Sequence, residues 1–336
     1  MSRADLIRLR GWLVLLMTVY HVMSITWMSR PEDFWVLRFV SGAFIFMSGL
    51  AWSGQSSAHR GWRLLVLFVV LNLAIELSGV GNAEKAAWVQ AQAHSPWERV
   101  LWVLWGGHPS AASFGILLPI ALLLVSTSWL SRFCAAFGNR PGVWLLAAAQ
   151  LVMLASGAVQ ASATLAWLSL GLWGMLVSLW RDRSELPCAG PTLAAPPAAS
   201  RRQHLLRLSA SLVGMALAVM LMTYFASYAM AYAAGTMAIL ACLHQWVRPS
   251  ASAVAWAGWN AHLDRLGAYS LPLYILQIVM IHGLWRLGWE HRLPMAPQGL
   301  LFLGMVLFVQ SVICDAWERL RARSPWANRG YRLVFG

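Results

Sequence analysis

The chain has 336 residues, 59% of them hydrophobic and only 11% charged, with 21 tryptophans and a formal net charge of +13. That balance, with a mean hydropathy of +0.60, excludes an ordinary soluble globular domain and predicts an integral membrane protein. The basic total would also suit a nucleic-acid binder, and the distribution of the charge decides between the two readings.

Apolar runs long enough for a hydrocarbon core of about 30 Å lie at 11–28, 34–54, 62–80, 111–131, 141–159, 161–180, 205–226, 228–247, 266–287 and 299–318. With the N-terminus inside, the connections alternate so that nineteen of the 25 Lys and Arg fall on the cytoplasmic side. A basic excess in short loops sets orientation. The expected fold is all-α: a polytopic membrane protein of about ten transmembrane helices, both termini cytoplasmic. The charge is then topology, and nucleic acid is not an expected partner.

The first run, "RGWLVLLMTVYH" (10–21), follows an Arg-rich start and has no small-residue cleavage site, so it is read as a retained span. The outer segment 82–113 is polar, then aromatic, then broken by Gly-Gly-His-Pro, which suits an interfacial or re-entrant piece over a cavity mouth. Residues 181–204 are rich in Pro and Ala and form a cytoplasmic linker between the first six and last four helices. The stretch 248–265 is expected to lie flat on the cytoplasmic surface through Trp256 and Trp259, with His262 and Asp264 solvated. Residues 320–336 form a basic tail. The whole of 1–336 reads as one membrane domain.

Ionisable side chains inside spans are costly and mark cavities or sites. They are His21, Arg38, Glu76, His244, His282 and Asp315. Arg10 and His21 are eleven residues apart, which on a helix is about 16 Å and three turns plus ~20°. They share a face. Depth along the helices puts Arg10 and Arg63 inside, His21 near the middle, and Arg38, Glu76, His108 and His282 outside. Guanidinium groups on the inner side suit a phosphate-bearing donor. A neutral imidazole deeper in the membrane suits removal of a proton from an attacking hydroxyl. His21 and Glu76 are therefore the catalytic candidates, Arg10 and Arg63 the donor side, and Arg38, His108 and His282 the acceptor side. Each intramembrane histidine could instead bond a neighbouring helix, and Arg38 could snorkel or pair with Glu76. No His, Cys, Asp or Glu set has metal-ligand spacing, so no metal is expected.

Arg10-Gly11 followed by His21 resembles the first-helix Arg-Gly…His pattern of the acyltransferase-3 superfamily of bacterial membrane acyltransferases, in particular its OpgC-like branch, which succinylates osmoregulated periplasmic glucans. "SGAFIFMSGL" (41–50), "FGILLPI" (114–120) and "LGAYSLPLYILQ" (266–277) are similar to further segments of that group. The chain departs from the pattern at Ile7, where relatives carry an acid, and at Gln277, where many carry histidine. The resemblance implies transfer of an acetyl or succinyl group from cytoplasmic acyl-CoA, a co-substrate and not a resident cofactor, to a hydroxyl of a periplasmic or lipid-linked glycan. It implies His21 as base and Arg10 as ligand of the donor phosphate, with Ser48 and Gly49 beside the donor channel and Gln277 on the acceptor side. Gly42 and Gly49 serve close helix packing equally well. The expected partners are acyl-CoA, the glycan and membrane lipids, with a homo-oligomer or a glycan-synthesis partner left open. The rival readings are a transporter or flippase for a lipid-linked sugar and a non-catalytic subunit of a polysaccharide synthesis complex.

Overall fold

The computed structural model describes residues 3–26, 35–51, 58–78, 95, 97–98, 114–155, 163–184, 228–247, 257–286 and 295–335. These are helical throughout, with no strand among them: α1 (Arg3–Thr26), α2 (Trp35–Leu50), α3 (Ala58–Ser78), α4 (Leu117–Phe137), α5 (Asn139–Ala155), α6 (Ala163–Ser184), α7 (Tyr228–Val247), α8 (Ala257–Ala268), α9 (Ser270–Arg286), α10 (Met295–Arg323) and α11 (Pro325–Phe335). Proline stands in the first turn of α4, α5, α9, α10 and α11, where its missing N–H costs nothing. Between α4 and α5 the chain reverses at Gly138, whose φ of 88° lies in the left-handed region and whose N–H donates to the Cys134 carbonyl at 2.7 Å.

Eight of the ten predicted spans each overlap one described helix, 266–287 covers the end of α8 and all of α9, and 205–226 lies outside the described residues. Among the described residues, four helical stretches are long and apolar enough to cross a membrane: Ala4–Met23, Ala58–Ile75, Leu117–Phe137 and Gly299–Arg323. Shorter apolar stretches lie in α2, α6, α7 and α9. Large apolar side chains face outward, among them Trp129, Trp144 at 74% exposure, Leu151 and Phe308 at 67%. A surface of that kind in water would drive association; against lipid tails it has no such cost.

α1 is the central helix. It packs against α2, α7, α8, α9 and α10, while α2 lies along α6 and α3 along α4. Small residues set how closely these pairs approach. A methyl group on Gly11 would strike the backbone carbonyl of Leu263, one on Gly267 the carbonyl of Ile7, and one on Gly49 the carbonyl of Gly171. Gly49 thus supports the α2–α6 contact, and Gly11 owes its place to α8.

Two expectations need correction. The stretch from Ala257 to Ala268 is not a flat surface loop but α8, docked along α1, with Trp259 edge-on to Trp12 at 5.8 Å. Asp264 is no solvated loop residue: Arg8 Nε and Nη2 donate to its two carboxylate oxygens at 3.1 and 3.0 Å. The span predicted at 266–287 is accordingly two helices meeting at Tyr269. Within the basic tail, α10 ends at Arg323 and α11 follows. Ser324 Oγ accepts from Ala327 N–H at 3.3 Å and starts α11, an N-terminal cap that composition alone obscured.

Candidate functional site

α1 is unbroken from Arg3 to Thr26, so Arg10 and His21 do stand on one continuous helix. At His21 three helices meet. Gln277 of α9 brings its Nε2 to 3.1 Å from His21 Nδ1. Behind it, Thr18 of α1, Gln277 and Gln310 of α10 form a polar chain with 0%, 0% and 1% exposure. Thr18 Oγ1 lies 2.6 Å from Gln277 Oε1, 2.9 Å from the Val14 carbonyl and 3.2 Å from Gln310 Oε1, three oxygens that share its one proton. Gln310 Nε2 donates to Gln277 Oε1 at 3.3 Å and to the Leu273 carbonyl at 3.4 Å. Buried polar groups away from water need such partners, and satisfied networks of this kind hold one geometry.

Aromatic rings line the same place. The His21 ring lies 5.5 Å from Tyr20 and 6.2 Å from Tyr274, and Tyr274 meets Phe114 edge-on at 6.4 Å. Tyr274 also bonds the backbone at Ile116. The segments 114–120 and 266–277, distant in sequence, therefore converge beside His21.

The other end of α1 belongs to a basic face. Arg10 is half-buried and lies near enough to Arg60 of α3 for their like charges to interact. Among the described residues no carboxylate pairs with either. Arg63 is exposed and donates to the Arg332 carbonyl of α11 at 3.3 Å. α11 is strapped across this end: Arg321 donates to Asn328 Oδ1 and Tyr269 Oη and stacks 4.0 Å from the Tyr331 ring centroid. Burial pushes the Tyr331 hydroxyl above its ordinary pKa, against the pull of Arg321. Arg265 pairs with Asp315 at 2.6 Å and ties α8 to α10.

Of the predicted site residues, the structure brings Gln277 to His21 and sets Arg10 eleven positions below on the same helix. Ser48 donates to the Phe44 carbonyl of its own helix at 2.9 Å. Arg38, Glu76 and His282 lie on α2, α3 and α9, with side chains outside the described residues, as is all of His108. Among the described residues no group of three or more His, Cys, Asp or Glu is placed to hold a metal. Sequence reasoning passed over Thr18, Gln310, Tyr274 and Arg60. Thr18 and Gln310 were legible as polar residues within apolar spans, but an inventory restricted to ionisable groups omits them.

No family model, curated protein or solved structure matches this chain.

Proposed function

We propose that this protein is a multi-pass membrane O-acyltransferase of the bacterial inner membrane, with ten spans and cytoplasmic termini. It moves an acetyl or succinyl group from acyl-CoA to a hydroxyl of a periplasmic or lipid-linked glycan. The observation that carries the reading is the convergence of segments 114–120 and 266–277 on His21, above the Arg10 and Arg60 guanidinium groups, which have no carboxylate partner among the described residues, on the same side as α11. Donor phosphates suit two neighbouring cations. The hydroxyl oxygen attacks the thioester carbonyl, its proton passes to the His21 imidazole, and the thiol departs protonated. Gln277, Thr18 and Gln310 hold the ring in place during that exchange.

The test follows free-thiol release from acetyl-CoA and succinyl-CoA by the purified protein in nanodiscs with periplasmic glucan as acceptor. The protein releases thiol in a glucan-dependent manner, and His21→Ala slows it by roughly 10²–10⁴-fold, the range for a general base. A carrier or scaffold releases none in either form, and that result ends the proposal.

A further inference from the structure

α10 turns Val306, Gln310 and Cys314 into the bundle and leaves Leu301, Phe308 and Val312 exposed on its other side. Steps of seven and four residues keep those three within about 40° of one another around the helix. The same steps carry the stripe on to Arg319 and Arg323, both exposed. From Leu301 to Arg319 is about 27 Å along the axis, and to Arg323 about 33 Å. A hydrocarbon core is about 30 Å thick. A stripe that starts against acyl chains therefore ends on guanidinium groups at headgroup depth.

α11 extends the charged surface. Its half-buried Asn328 and Tyr331 face the bundle, where Asn328 Oδ1 accepts from Arg321 and Tyr331 Oη donates to the Ala268 carbonyl at 3.3 Å. Trp326, Arg329 and Arg332 are left outward, Trp326 with 79% exposure and the Arg329 guanidinium carbon 5.6 Å from its ring centroid. α11 contains no acidic residue. On α10, Asp315 is held by Arg265, and Glu318 stands about 100° round the helix from Arg319. Among the described residues no carboxylate pairs with Arg319, Arg323, Arg329 or Arg332.

We propose that Arg319, Arg323, Trp326, Arg329 and Arg332 form a docking surface for anionic phospholipid in the leaflet at that end of the spans. Guanidinium forks match phosphate oxygens, and tryptophan favours the layer between acyl chains and water. An acidic soluble partner would satisfy the cations but leave the apolar run leading into them uncovered. A lipid satisfies both, its acyl chain along Phe308 and Val312 and its phosphate at Arg319 and Arg323. Bound headgroups press α11 onto the bundle, where its Arg332 carbonyl accepts from Arg63 of α3. The proposal rests on the membrane reading alone, and acyl transfer plays no part in it.

The test is amide hydrogen exchange of residues 325–335 in the full-length protein, in nanodiscs of phosphatidylcholine alone and of phosphatidylcholine with phosphatidylglycerol. Each arginine near an anionic surface contributes roughly fivefold, so α11 is expected to exchange roughly tenfold slower or more with phosphatidylglycerol, while α1 exchanges alike in both. The combined variant Arg319→Gln, Arg323→Gln, Arg329→Gln and Arg332→Gln abolishes the difference, and Arg140→Gln, at the α4–α5 turn, retains it. Equal exchange of wild-type α11 in the two bilayers overturns the proposal even if the combined variant does not fold. So does equal slowing by inorganic phosphate added to the phosphatidylcholine nanodiscs, which marks a free-anion site. Slowing that survives in the combined variant places the lipid elsewhere and also overturns it. A protein inert toward thioesters leaves this result standing, and failure here leaves acyl transfer untouched.

Discussion

Gly267 of α8 lies so close to Ile7 of α1 that a β-carbon on it would collide with the Ile7 carbonyl oxygen and come within 3.0 Å of the Gly11 amide nitrogen. Both atoms are backbone and cannot step aside. Gly267→Ala is therefore expected to separate α8 from α1 and destabilise the protein by about 1–3 kcal/mol, the usual cost of overpacking. Thermal unfolding in detergent measures it, with Gly258→Ala as the control, since a methyl there meets nothing within 4 Å. Equal losses in the two variants would contradict the packing argument.

The Arg8–Asp264 pair ties the same two helices by charge. Its side chains are 17% and 37% exposed, and the contact is two-pronged. A double-mutant cycle with Arg8→Gln and Asp264→Asn should give a coupling of about 1 kcal/mol, at the upper end for a pair that solvent still reaches. Raising the salt concentration should shrink it. A coupling of zero at low salt would show that the geometry carries no energy.

Thr18 has no exposed surface, and its hydroxyl bonds Gln277. Thr18→Val keeps the shape but removes the bond, leaving Gln277 Oε1 with the longer Gln310 contact alone. The expected cost is about 1–2 kcal/mol in unfolding free energy. Retained stability would mean that Gln310 alone satisfies the buried oxygen.

Arg10 and Arg60 present like charges to each other. Arg60→Gln is therefore expected to leave the unliganded protein as stable as wild type or more so. Ligand reverses the order: CoA should raise the unfolding temperature of wild type, and Arg10→Gln should need roughly tenfold more CoA or above for the same rise, the worth of one charge-assisted bond. Equal stabilisation of wild type and Arg10→Gln would place the donor phosphates elsewhere.

His262, on α8 and outside the spans, has its pKa lowered from 6.5, first by burial and then by Arg265, with Asp315 opposing. A group whose folded pKa is depressed stays neutral in the fold while the unfolded chain takes up a proton. Its contribution is complete above the unfolded pKa near 6.5 and is lost as pH falls through the folded value. Unfolding temperature should accordingly drop as pH falls below the unfolded value near 6.5, and His262→Gln should flatten that segment of the curve. A variant curve parallel to wild type would remove His262 as the cause.

Much of the helical layout was legible because a hydrocarbon core imposes a length. The run at 228–247 matches α7 end to end, and the 3.6-residue period alone put Arg10 and His21 on one face. The helix at 257–268 was not legible. Its apolar residues are few, and it folds because Gly11 and Gly267 let it lie against α1 and because Asp264 meets Arg8. Neither fact exists until the two segments, some 250 positions apart, are side by side.

The site divides in the same way. His21 stood out because an imidazole in an apolar span is expensive, a cost visible in any single stretch of chain. What surrounds it was decided only by packing: Gln277 and Gln310 join Thr18 and His21 in one buried polar cluster because α9 and α10 both close on α1, and because burial leaves their polar atoms no water to bond. Composition and period act along the chain and can be read from it one residue after another. Which polar groups meet depends on which helix packs alongside, as α9 brings Gln277 to His21 on α1, and only the folded chain specifies that.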